Sequence, residues 1–140
     1  MSNGGLRASV LLAAIALVAL AMPIAAGADE GDGSGSQAEA RVELSCSANS
    51  RVRLRVRTQD DDMLRIDLDL RTPRRGASWL VVMVHERRLV FRVPRRTGRS
   101  SGSLSLRRTI PDWPGPDTVT VRATGPRGEV CRASATIDGD

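Results

Sequence analysis

An all-β fold, an antiparallel sandwich of seven to eight strands, is what this sequence predicts, and three observations carry the prediction. Apolar and charged residues alternate with period two, as in Arg51-Val52-Arg53-Leu54-Arg55-Val56-Arg57 and Leu64-Arg65-Ile66-Asp67-Leu68-Asp69-Leu70. That is the pattern of strands with one dry face and one wet face. Such runs recur at short intervals with Gly, Pro, Asp and Ser between them, the spacing of a small β-sandwich. Past residue 40 no stretch sustains a 3.6-residue period, so almost no helix is expected.

Residues 1–28 read as a secretory signal peptide. Arg7 is a short basic start, residues 10–22 are apolar without interruption, Pro23 breaks the run, and Ala26-Gly27-Ala28 offers small residues for cleavage. The apolar run is 13 residues, against the roughly 20 needed to span a bilayer as a helix, so no membrane span is expected in the mature protein. Residues 29–40, DEGDGSGSQAEA, are small, polar and acidic; with nothing to bury, they read as a disordered linker. Residues 41–137 then form one domain of ordinary size.

Within that domain strands are expected over 41–47, 51–57, 63–71, 79–84, 88–93, 102–108, 118–123 and 130–137. The segment 78–93, SWLVVMVHERRLVFRV, is the most strongly β-forming. It reads as a hairpin turning near His85-Glu86-Arg87. If the turn after the second strand takes up 58–62, Arg53 faces Asp67 and Arg51 faces Asp69 across strands, each pair worth a few tenths to about 1 kcal/mol.

All 21 basic residues are arginine, which a GC-rich coding sequence also produces. Between 41 and 137 there are 20 of them against 10 acidic residues, a net charge of +10. A field of that size favours anionic partners. Cys46 and Cys131 are the two cysteines, and in an exported chain an isolated pair reads as a disulfide. Both fall on apolar-facing positions of the first and last strands. With His85 the sole histidine, a zinc site is not expected, and nothing in the sequence calls for a cofactor.

The order Cys46-Ser47-Ala48, a strand, Asp60-Asp61-Asp62, a strand, Gly76-Ala77-Ser78-Trp79, a hairpin, Ser101-Gly102-Ser103 and Gly128-Glu129-Val130-Cys131 resembles a group of small secreted actinobacterial proteins without an assigned activity. The resemblance covers most of the mature chain through generic motifs. It implies export, one disulfide and an immunoglobulin-like sandwich, and it carries over no catalytic residue. Where the related chains have Asn-Gly at the central hairpin turn, this one has Glu86-Arg87.

Catalytic chemistry has little to draw on. Asp67 and Asp69 share a strand face at i and i+2, which could set up a glycosidase-like carboxylate pair. Their arginine neighbours instead favour two ionised groups, and a general acid needs a raised pKa. His85 reads as a turn residue, and Asp60-Asp61-Asp62 as a solvated loop rather than a Ca²⁺ site. Trp113, in a Pro-rich loop, reads as a pin for that loop. The expectation is therefore a secreted, non-catalytic binding or structural module, with a hydrolase using Asp67 and Asp69 as the alternative. Arg74, Arg75, Arg95, Arg96, Arg99, Arg107 and Arg108 are the candidate anionic-polymer contacts.

The central hairpin adds a second candidate surface. If His85 opposes Arg88, the hairpin puts Trp79, Val81, Met83 and Val90 on one face and Leu80, Val82, Val84, Leu89, Phe91 and Val93 on the other. A two-layer sandwich buries one face of each sheet. Trp79 is assigned to the core beside the disulfide, Ala133 and Ala135. Leu80, Val82, Val84 and Phe91 then form an apolar strip for a homodimer or protein partner, unless the loop 72–77 or the Trp113 segment folds over it.

Overall fold

A computed structural model describes residues 37–138; the expected leader and all but the end of the acidic linker lie outside them. Eight strands follow one another: β1 (Glu39–Ser45), β2 (Arg51–Gln59), β3 (Met63–Arg71), β4 (Ser78–His85), β5 (Arg88–Arg96), β6 (Ser103–Pro111), β7 (Asp117–Thr124) and β8 (Val130–Ile137). Among the described residues the one helical element is a 3₁₀ turn, Pro126–Gly128. The strands form two four-stranded antiparallel sheets, ordered β1-β2-β3-β6 and β5-β4-β7-β8.

Period-two alternation decides which face of each sheet is dry. Val52, Leu54 and Val56 of β2 and Leu64, Ile66, Leu68 and Leu70 of β3 are buried, while the residues between them are not. They meet Trp79, Val81 and Met83 of β4, Val119, Val121 and Ala123 of β7, and Cys131, Ala133, Ala135 and Ile137 of β8 in one core. Trp79 is 1% exposed, as its assignment to the core requires. Gly125 seats its ring: a Cβ there would stand 2.7 Å from three ring atoms, so a larger residue would have to displace the Trp.

Cys46 and Cys131 are disulfide-bonded, with Cα atoms 4.4 Å apart. The bridge ties the end of β1, an edge of one sheet, to β8, an edge of the other. The Ser47 N–H donates to the Val130 carbonyl at 3.0 Å, and the Val130 N–H donates to Ser47 Oγ at 2.9 Å. A loop of 85 residues is closed, worth about 4 to 5 kcal/mol on chain-entropy grounds.

Four sequence expectations need correction. The strand pairing begins before residue 41: Ala38 already exchanges hydrogen bonds with Thr58, so residues 38–40 belong to the sandwich rather than to the expected linker. Cys46 lies one residue past β1 rather than within it, and Leu44, on the expected inner face, is 45% exposed because β1 is an edge strand. Between β2 and β3 the register is two residues off the expected one. Arg53 faces Asp69, Arg55 faces Asp67 and Arg57 faces Arg65. Thr58 and Gln59 belong to β2, and Asp60-Asp61-Asp62 alone makes the turn, with Asp61 and Asp62 at positive φ, a conformation short Asp side chains tolerate.

The fourth correction is a β-bulge. Met83 pairs with Phe91 and Val84 with Leu89, so Val90 is an extra residue on β5. One inserted residue inverts every side chain beyond it. Phe91 and Val93 therefore sit on the same side as Met83 and Val81, not on the outer side with Val82.

The alternating strand directions gather the connections at two poles. At one lie the start of β1, the turns 60–62 and 86–87, the loop 112–116 and the end of β8. At the other lie 46–50, 72–77, 97–102 and 125–129. The chain thus enters and leaves the sandwich at the same pole.

Candidate functional site

The pole away from the chain ends is held by neutral contacts. Thr97, 3% exposed, takes its place between the loops. Its Oγ1 accepts from the Ala77 N–H at 2.9 Å and donates to the Arg74 carbonyl at 3.0 Å, and its N–H donates to the Ala77 carbonyl. Further backbone bonds run from Gly76 to Gly98, from Gly98 to Ser103 and from Thr72 to Gly102. Gly102 has φ +62°, and a Cβ on it would lie 2.3 Å from the Thr72 carbonyl oxygen; a larger residue would part the two loops.

These stitched loops carry Arg74, Arg75 and Arg99, and the adjoining end of β5 adds Arg95 and Arg96, which point to opposite faces of the strand. None of them forms an ion pair among the described residues. All but the half-buried Arg74 are exposed. Arg107 and Arg108, the other predicted contacts, lie elsewhere. Arg107 is on the outer face of β6, bonded to Asp67. Arg108 lies over the Phe91 ring at 5.1 Å, across the open edge between β6 and β5.

The outer face of β1-β2-β3-β6 is a ladder of charge set by register. Its rows read Glu39-Arg57-Arg65-Thr109, Arg41-Arg55-Asp67-Arg107, Glu43-Arg53-Asp69-Ser105 and Ser45-Arg51-Arg71-Ser103. Asp67 is the hub, with Arg107 at 2.8 Å, Arg57 at 3.1 Å and Arg65 at 3.4 Å. Partial burial works to raise its pKa. The Arg107 hydrogen bond, the charges of Arg65 and Arg107, and the Arg57 hydrogen bond outweigh that and hold it below the usual carboxylate value. Asp69 accepts from Ser105 Oγ at 2.6 Å. Arg41, Arg51 and Arg71 form no ion pair among the described residues.

The pole at the chain ends uses its charges internally. His85 is 2% exposed and hydrogen-bonds through Nε2 to Asp117 Oδ1, itself on a fully buried residue. Trp113 stacks on the imidazole with centroids 4.4 Å apart, and Arg88 lies over the Trp113 ring at 4.8 Å. Asp117 Oδ2 accepts from the Trp113 N–H at 3.3 Å. Asp112 hydrogen-bonds to the Asp117 carboxyl, and that bond, burial and repulsion from Asp117 and Asp62 push its pKa up to about 6. Burial also acts to raise Asp117, but the hydrogen bonds from Asp112, His85 and Trp113 prevail and lower it. Glu86 sits at positive φ, and its side chain accepts the Thr118 N–H.

His85 is thus a buried pair member, not a simple turn residue, and Trp113 is pinned against it. Asp117 and Asp112 went unmarked in the sequence. The signal that could have found Asp117 is its place as an acidic residue opening an apolar strand, opposite the other end of a hairpin that holds the sole histidine. Among the described residues, no Ser or Cys side chain hydrogen-bonds to His85 or Asp117, and the cluster ties the start of β7 to the end of β4 and to the Trp113 loop.

On the outer face of the other sheet, Leu80, Val82 and Val84 are half-buried and Leu89 is 62% exposed. Phe91 is absent from this strip because of the bulge. Val82 stands between Arg92 and Arg122 in register, so arginine interrupts the apolar run on both sides. Loop 72–77 and the Trp113 segment, the expected covers, are bonded at the poles instead.

Comparison with protein-family models, curated proteins and solved structures found no match. Among the described residues no cluster of His, Cys, Asp and Glu is arranged to hold a metal ion, and no helix is long and apolar enough to cross a membrane.

Proposed function

We propose that this protein is a secreted, non-catalytic binding module of immunoglobulin-like build that holds an anionic polymer at its arginine pole. One observation carries the reading: Arg74, Arg75 and Arg99 on two stitched loops, and Arg95 and Arg96 at the adjoining end of β5, lie at one pole without an acidic partner. Guanidinium groups left unpaired by the fold keep their donors for phosphate, sulfate or carboxylate. The pole lies opposite the chain's entry and exit, so an attachment through either end leaves it facing outward. Export is supported by the leader-like start and the disulfide. The immunoglobulin-like reading is supported by a buried Trp on β4 and by the crossings from β3 to β4 and from β5 to β6 between sheets; the bridge from β1 to β8 departs from the usual inter-sheet position.

Retention on an anionic matrix is the test. Binding through about five such contacts weakens by about a hundredfold or more between about 50 and 200 mM salt. The triple variant Arg95→Gln, Arg96→Gln, Arg99→Gln should elute much earlier than the wild type. Equal retention of the two removes the proposal. The hydrolase alternative loses support from Asp67, which three arginines keep ionised; an activity found in a substrate screen and abolished by Asp67→Asn would restore it.

A further inference from the structure

The arginine pole does not end at its loops. Arg71 closes β3 and Ser103 opens β6, directly before and after the loops that carry Arg74, Arg75 and Arg99. From there a shallow groove runs back over the outer sheet face. One part, of about 300 Å³, is lined by Asp69, Arg71, Ser101, Ser103 and Ser105. The next, of about 380 Å³, shares Asp69 and Ser105 and adds Arg53, Arg55, Arg57, Asp67 and Arg107. From the Ser103 row to the Arg107 row is about 14 Å at a rise of about 3.4 Å per residue.

The lining mixes three kinds of group. Arg71 lines the groove and faces Arg51 in register across β2 and β3. Arg51 lines an adjoining hollow of about 90 Å³ with Glu43, Arg53, Asp69 and Arg71. Neither Arg51 nor Arg71 forms an ion pair among the described residues. Arg53 and Arg55 reach Glu43 and Glu39 only at 3.7 and 3.4 Å; such exposed pairs are held weakly and re-aim at little cost. Asp69 is a carboxylate beside the unpaired cations, and Ser101 and Ser103 share a hydrogen bond at 2.7 Å. Cations alone would suit any polyanion. A carboxylate in the same groove repels a bare string of phosphates, and both it and the serine hydroxyls accept hydrogen bonds from a ligand's own hydroxyls. No aromatic ring lines the groove, and Trp113 is committed at the far pole, so neutral sugar stacking has no platform here.

Resting on the polyanion reading, we infer that this groove takes an anionic polyol, a linear chain with both free hydroxyls and anionic groups in its repeat. Arg51 and Arg71 bind the anion, and Asp69 with Ser103 accepts the hydroxyls.

Three probes, poly(glycerol phosphate), polygalacturonate and inorganic polyphosphate, matched in charge, test this by titration against wild-type protein and Asp69→Ala. The wild type should hold at least one of the hydroxyl-bearing polymers more tightly than polyphosphate, and which one assigns the anion as phosphate or carboxylate. Asp69→Ala should weaken that polymer about tenfold, the loss of one charge-assisted hydrogen bond, while polyphosphate binds slightly more tightly once the negative charge is gone. Backbone amide shifts of the wild type on titration should be largest at Arg71, Ser103 and Ser105, which keeps the test independent of the variant's folding. If Asp69→Ala tightens all three polymers alike, or the shifts stay within 74–76 and 95–99, the groove assignment is wrong while polyanion binding stands. If no polymer binds, both readings fail.

Discussion

The two poles of this sandwich are fastened by different chemistry. At the chain-end pole the connectors are ionisable side chains: His85 on Asp117, Asp112 on Asp117, Arg88 over Trp113. At the distal pole they are neutral: the disulfide, the hydroxyl of Thr97 and backbone bonds between the loops. A charge that holds a fold together is no longer free to hold a ligand. Neutral fastening leaves five arginines at the distal pole unpaired by any acid, and it is why that pole, rather than the buried His–Asp pair, reads as the surface that meets other molecules.

Substitutions at each pole should therefore separate stability from binding. The largest effect on stability is expected from Cys46→Ala with Cys131→Ala. Losing a bridge of this loop length costs about 4 kcal/mol, and chemical denaturation should show it as a lowered midpoint. The purified wild type itself should show no free thiols by intact mass. Next comes Asp117→Ala, which leaves His85 buried without its partner and should cost about 3 kcal/mol or more. Its retention on an anionic matrix under native conditions should match the wild type; a large loss there would break the division between the poles.

Asp112→Asn is smaller and depends on pH. The Asp112 carboxyl has a pKa raised in the folded state, so its favourable contribution is complete below its unfolded value near 3.8 and is lost as pH rises through about 6. Asp117, lowered by its partners, contributes above its unfolded value and loses that contribution as pH falls. These two groups together should place the stability maximum near pH 4, with a decline as pH rises toward 6. Asparagine donates to Asp117 at every pH, so Asp112→Asn should gain on the order of 1 kcal/mol at pH 7.5, discounted for partial exposure, and nothing near pH 4. Thermal melts across that range would check it. The smallest stability effect belongs to the Arg95, Arg96 and Arg99 triple variant, within about 0.5 kcal/mol per site, although it should lose the most binding.

Alternation was enough to place the strands and to tell which of Val52 or Arg53, Ile66 or Asp67, faces the core, because a residue buried on one side and wet on the other must obey period two. It failed where both faces are apolar. Around Phe91 an inserted Val90 changes no pattern, so the bulge and the inversion beyond it had no trace. Register between β2 and β3 depended on the turn, and Thr58 and Gln59 look like loop residues although the ladder continues through them. The arginine runs 74–75 and 95–99 were legible as charge, but their meeting depends on the long-range bond between Gly76 and Gly98. Arg107 and Arg108 are neighbours in sequence and lie on opposite faces of β6, which a run of charge conceals. The His85–Asp117 pair joins residues 32 apart with no motif to link them.

The disulfide has a consequence under mechanical load. Tension between the two chain ends pulls on β1 and β8 from the same pole, where each strand can peel away from its neighbour one hydrogen bond at a time. Peeling from the front stops at Cys46 and from the back at Cys131. Beyond those residues the covalent bridge carries the force directly, and residues 47–130 bear none of it. The loops with Arg74, Arg75, Arg95, Arg96 and Arg99 all lie inside that shielded span. A molecule tethered at one end and stretched at the other would yield at most β1 and the part of β8 beyond Cys131 before the bridge takes the load, and the arginine loops would carry none of it.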